Sequence, residues 1–180
     1  MTVLALLLAA GATVSTPPVT PADTAGARQE LLNDINVLER KVIGLAQAMD
    51  EKRYGWTPME GVRTVRQVYL HIAINNYVFP TMTGTRPPAN IDFGANYEGV
   101  QKYENADLSK AEVVRELRES FEHLKAALAE AGDLDRTVQF FGRPATARRV
   151  WLETLFHIHE HLGQSIAYAR ANHVVPPWSR

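Results

Sequence analysis

Cysteine is absent from all 180 residues. That excludes a disulfide, a thiolate metal ligand and a cysteine nucleophile, so any bound metal must be held by nitrogen and oxygen. It leaves the redox compartment open. Charge of one sign is also scarce. The formal net charge is −1 and the basic residues are scattered. The Arg148-Arg149 pair is too small a cluster for a nucleic-acid footprint and reads as a solvated helix face, so no nucleic-acid partner is expected. Long hydrophobic runs are missing too. The one from Val3 to Ala10 is too short to span a bilayer as a helix, and no integral membrane domain is expected. No internal repeat is visible.

What remains is an ordinary globular composition, 46% hydrophobic and 22% charged, in a chain long enough for one domain with a substantial core. The Val3–Ala10 run leads into Ala10-Gly11-Ala12, a small-residue pattern of the kind signal peptidase accepts. No Lys or Arg precedes Arg28, so the positive start of a signal peptide is lacking, and a hydrophobic tail is the alternative. Thr13 to Thr24, rich in Thr, Pro and Ala, reads as a linker. The expected division is residues 1–24 as signal peptide and linker and 25–180 as the folded domain. A cleaved signal would make the protein periplasmic or secreted; without one it is cytoplasmic.

Four helical patterns follow. Leu31, Ile35, Leu38, Val42, Leu45 and Met49 alternate at spacings of four and three, an amphipathic helix ending near Lys52. Thr64-x-x-Gln67 is a capping box opening a second helix, which carries His71 and runs to about Phe79, where Pro80 is expected to stop it. Thr81 to Asp107 shows no clear period and reads as an ordered loop or short helical turns, the kind of long connection that often borders a site. Ser109-x-x-Glu112 caps a third helix with the stripe Val114, Leu117, Phe121, Leu124 and Leu128, ended by Gly132. Thr137–Phe141 and Gly142-Arg143-Pro144 suggest a small hairpin. Thr146 caps the last helix, which ends near Asn172, the expected left-handed cap. The fold class is therefore all-α, a four-helix bundle with a long loop between its second and third helices.

Three of the six histidines fall within Phe156-His157-Ile158-His159-Glu160-His161 on the last helix. His157 and His161, four apart, share a face and can share one metal ion. His159 points roughly 200° away from them. A helical wheel at about 100° per residue centres the apolar arc on Leu155, Leu162 and Ile166, with His159 inside it and the other two on its flank. Edge-of-core histidines without metal are the plain alternative. His71, mid-helix beside Val68 and Ile72, favours a shared site, because a bare imidazole is awkward to bury without a partner.

These segments also match a family. Arg63-Thr64-Val65-Arg66-Gln67-Val68-Tyr69-Leu70-His71-Ile72-Ala73 resembles the second helix of the DinB-like (DinB/YfiT) metalloenzymes. His157-x-x-x-His161-Leu162-Gly163-Gln164 with Ala167-Tyr168-Ala169-Arg170 resembles their fourth, and Val174-Val175-Pro176-Pro177-Trp178-Ser179 the end of one subgroup. The resemblance runs from about Ala25 to the end. It implies a four-helix bundle with a divalent metal held by His71, His157 and His161. Zinc comes first among the metals, with nickel or iron next. Many members have Gly where this chain has His173; that residue and His123 read as surface residues.

His159 stands as the rival ligand if the last helix is rotated. Glu153 is a candidate to orient a ligand imidazole, Asn75 and Asn76 to line a pocket, and Tyr168 to donate to a ligand. The resemblance further implies a metal-dependent enzyme acting on a small molecule by S-transfer from a low-molecular-weight thiol, and a homodimer; metal-assisted hydrolysis comes next, since an open three-histidine site can lower the pKa of bound water. The alternative from another class is a non-catalytic, metal-stabilised binding or stress-response module. No general base is nominated.

Overall fold

The computed structural model describes residues 21–94 and 98–179. The signal-peptide reading lies outside them. Helix α1 spans Pro21–Ala48, α2 Val65–Thr81, α3 Glu98–Glu104, α4 Lys110–Glu130 and α5 Ala147–Ala171. A hairpin of β1 (Thr137–Phe140) and β2 (Arg143–Thr146) precedes α5, pairing Thr137 with Thr146 and Phe140 with Arg143. The four long helices α1, α2, α4 and α5 form the expected bundle. No helix among the described residues is long and apolar enough to cross a membrane.

Bundle order decides where the site can form. The helices adjoin as α1–α4, α4–α2, α2–α5 and α5–α1. Consecutive α1 and α2 therefore sit on one diagonal and α4 and α5 on the other. The link after α2 joins neighbours, and it contains α3, which packs on α2. This order makes α2 and α5 adjacent, the condition for His71 to meet the α5 histidines.

Both capping boxes form. Thr64 accepts from the Gln67 amide and Ser109 from the Glu112 amide, each answered by the reciprocal side-chain bond. The start of α2 is pinned further by Val65 and Arg66 donating to the Trp56 and Tyr54 carbonyls. The core unites Ile35, Leu38, Val42 and Leu45 of α1 with Val68 and Ile72 of α2, Leu117, Phe121 and Leu124 of α4, and Trp151 and Ile158 of α5.

Several boundaries differ from expectation, each for a local reason. Helix α1 starts at Pro21, inside the segment read as linker, since proline suits a first turn whose N–H groups are unpaired anyway. It ends at Ala48, and a single 3₁₀ turn, Glu51–Arg53, follows. Pro80 lies within α2, where so near the helix end it removes one donor without breaking the last turn. The hairpin turn is Phe141-Gly142, both at positive φ, so Arg143 and Pro144 belong to β2. At the end of α5 the left-handed residue is His173 at φ 60°, while Asn172 has φ −97°. His173 N–H bonds the Arg170 carbonyl and Val174 N–H the Ala169 carbonyl, a Schellman closure with buried Val174 behind it.

The buried arc of α5 differs most. It runs through Trp151, Thr154, Ile158, His161, Ser165 and Ala169, while His159 is exposed. The wheel followed apolarity, yet buried Thr154, His161 and Ser165 are polar, and they shift the inward face away from His159. His123 is likewise not a surface residue. It is half-buried beside the Tyr77 ring, its Nε2 enclosed without a hydrogen-bond partner among the described residues and its pKa lowered by burial. Replacing fully buried Leu117 with Ala removes a contact central to the α4 face. Denaturant unfolding should register a loss of about 2–5 kcal/mol.

Candidate metal centre

The adjacency of α2 and α5 places His71 against His157 and His161. One donor atom from each ring lies within 4.8 Å of the others. His71 Nε2 and His157 Nε2 are 3.0 Å apart. The ring centroids are separated by 4.8, 4.5 and 4.6 Å for the three pairs. Around zinc, with Zn–N of about 2.0–2.1 Å, tetrahedral nitrogens sit about 3.3 Å apart. The His71–His157 pair is already close to that spacing, and the gap to the third ring, at most 4.8 Å, closes with a shift of up to about 1.5 Å. Phe79 stands edge-on to His157 at 5.3 Å between ring centres and forms an apolar wall.

The outer nitrogens of two rings are tied. His71 Nδ1–H donates to Glu104 Oε1 at 2.5 Å, and Glu104 Oε2 accepts from Arg63 Nε at 3.0 Å. His161 Nδ1–H donates to Gln164 Oε1 at 2.8 Å. The Gln164 amide then donates to the Tyr168 hydroxyl at 3.0 Å, which donates to the Arg63 carbonyl at 3.2 Å. In this direction every donor finds an acceptor. It puts the protons of His71 and His161 on Nδ1 and turns their Nε2 lone pairs inward, the tautomer a metal ligand requires. His157 Nδ1 is buried with no partner among the described residues.

Electrostatics favour the neutral forms of His157 and His161. Burial, with His161, His71 and Arg63 adding to it, pushes the His157 pKa down to about 3. Burial also lowers His161, partly opposed by its bond to Gln164. Burial alone would raise Glu104, but its bonds to His71 and Arg63 outweigh that and hold its carboxyl below the usual range. Clustered imidazoles beside a carboxylate suit a divalent cation, and the residues fit one.

The other candidates fall elsewhere. His159 is exposed on the opposite face. Glu153 pairs with Arg149 at 2.5 Å rather than with an imidazole. Asn76 is fully buried and donates to Ser120 Oγ, so it packs α2 on α4 rather than lining a pocket. Asn75 does sit by the site, donating to the His71 carbonyl at 2.8 Å. Tyr168 reaches the site through Gln164. Sequence reasoning missed Glu104, at the end of the seven-residue α3, because no periodicity or cap marks that helix. Only its position in the long connection after α2 hinted at a role.

A sequence profile of the DinB superfamily matches residues 35–165. The chain belongs to the DinB superfamily. Its fold also resembles the crystal structure of a DinB-like protein from Bacillus cereus ATCC 10987, at 18% identity with a TM-score of 0.68. The match covers 83% of this chain and 95% of that one. No curated protein matches. Four-helix architecture, family and histidine cluster thus agree.

Two outcomes follow from the geometry. Glu104→Gln leaves an oxygen to accept from His71 but removes the charge; equilibrium dialysis should find divalent-metal affinity lowered roughly 10–100-fold. The second concerns the metal-free protein. Because folding lowers the His157 pKa from 6.5 to about 3, the unfolded chain holds a proton in that window that the folded one lacks. Stability therefore falls as pH drops below 6.5, and the lowered Glu104 pKa acts in the same direction on further acidification. Urea midpoints in chelator should be lower at about pH 5 than at about pH 7.5, with a smaller difference in His157→Gln.

Proposed function

We propose that this DinB superfamily member is a divalent-metal-dependent enzyme whose cation is held by Nε2 of His71, His157 and His161. The observation that carries the reading is the inward convergence of three imidazoles, two of them fixed from behind by Glu104 and Gln164. Among the described residues no further His, Asp or Glu joins the group, and Glu104 is committed to the rear of His71. That supports an open coordination position, the arrangement of catalytic rather than structural sites. A cation so held supplies Lewis acidity, drawing the pKa of a coordinated thiol or water towards neutrality.

Around that position the chain performs identifiable tasks. Glu104 and Gln164 keep the ligand rings in the metal-binding tautomer and orientation. Phe79 excludes water from one side of His157. Arg63 holds the Glu104 carboxylate ionised and in place. The reaction class we put first is S-transfer from a low-molecular-weight thiol to a small electrophile, with metal-assisted hydrolysis next. Zinc is the first candidate metal; nickel and iron suit the same nitrogen set.

Metal analysis of protein purified without a histidine tag tests the reading. The untagged protein should carry close to one divalent ion per chain. His71→Ala, His157→Ala and His161→Ala should each lose most of it, and His159→Ala should keep it. Retention in the first three variants overturns the proposed site.

A further inference from the structure

Beside the histidines opens a cleft of about 640 Å³ whose lining includes Arg63, Gln67, Glu104, Asn105 and Gln164. That is within the usual range for a small-molecule site. Among the described residues its charged lining side chains are Arg63 and Glu104. Both Glu104 oxygens are engaged, one by His71 and the other by Arg63. The amides are largely spent as well. Gln67 donates to Asn105 at 2.7 Å, Asn105 to the Gln101 carbonyl at 2.8 Å, and Gln164 to Tyr168.

Arg63 differs from all of these. Its Nε–H goes to Glu104, its carbonyl is held by the Tyr168 hydroxyl, and its side chain is 40% exposed. Its terminal N–H groups make no hydrogen bond to another described residue. A pinned guanidinium with a free fork edge presents the geometry that carboxylates and phosphates accept in paired hydrogen bonds. With a cation on the histidines the surroundings are net positive, since the single Glu104 charge does not offset both the cation and Arg63.

We propose that this cleft selects small molecules bearing a carboxylate, docked on Arg63 while another part of the same molecule reaches the metal. The proposal rests on the metal-centre reading above. The guanidinium and the cation are separated by the Glu104 carboxylate and the His71 ring. The anion is therefore carried on a chain several atoms from the group that meets the metal. Arg63 is in this role a specificity-determining residue.

The test uses the cobalt(II)-loaded full chain and two thiols of equal length, mercaptohexanoate and mercaptohexanol. Binding is followed by the thiolate-to-cobalt charge-transfer band and, in parallel, by calorimetry. The carboxylate should bind about tenfold tighter, the size of one charge-assisted contact. Arg63→Gln should bring the ratio of the two affinities to near unity, while Arg63→Lys, which keeps charge but loses the fork, should retain part of it. Equal binding by the unaltered protein overturns the proposal, as does a preference that survives Arg63→Gln. A missing band with both thiols overturns thiolate coordination instead, and the calorimetric ratio then still decides the cleft.

Discussion

Three imidazoles are pressed together inside the bundle. That constraint organises this molecule. Burial and the neighbouring rings hold the His157 pKa far below the ordinary histidine value. Such a set is costly unless its outward nitrogens are satisfied and its inward ones have a use. The Glu104 and Gln164 bonds meet the first condition for two rings, and a shared cation would meet the second.

The connection between α2 and α4 is thereby part of the site rather than a passive link. Helix α3 is short and has no buried residue, so the hydrophobic core alone does not hold it. Polar anchors do. Tyr103 donates to Glu116 at 2.7 Å, Gln67 to Asn105, and Arg66 pairs with Asp107. These bonds fix the end of α3, where Glu104 turns towards His71. An element held by part-exposed polar contacts is drawn from the less stable end of a fold, where binding sites are commonly built.

The chain's punctuation was legible in its sequence. Thr64 and Ser109 announced their helices because capping is settled within four residues, and the hairpin between α4 and α5 showed in short strand-like segments. The spacing of His157 and His161 placed them on one face for the same local reason. Where the readings failed, a distant partner or a backbone detail intervened. His159 looked central because the wheel counts only apolar residues, whereas Thr154, His161 and Ser165 turn the polar side of the arc inward. His123 looked superficial, yet the Tyr77 ring covers it. Glu153 stood one turn from His157, but Arg149 on its own helix claims it.

The sequence by itself determined the four long helices, the capping boxes of α2 and α4, the absence of sulfur ligands and the pairing of two histidines on one turn. All of these depend on neighbours a few residues apart. Only the tertiary structure decided that α2 lies beside α5 rather than α1, that Glu104 reaches His71 from 33 positions away, and that Arg63 lines the adjoining cleft. Those facts depend on how whole helices share one core, and helix order around a bundle leaves no periodic trace in any single segment.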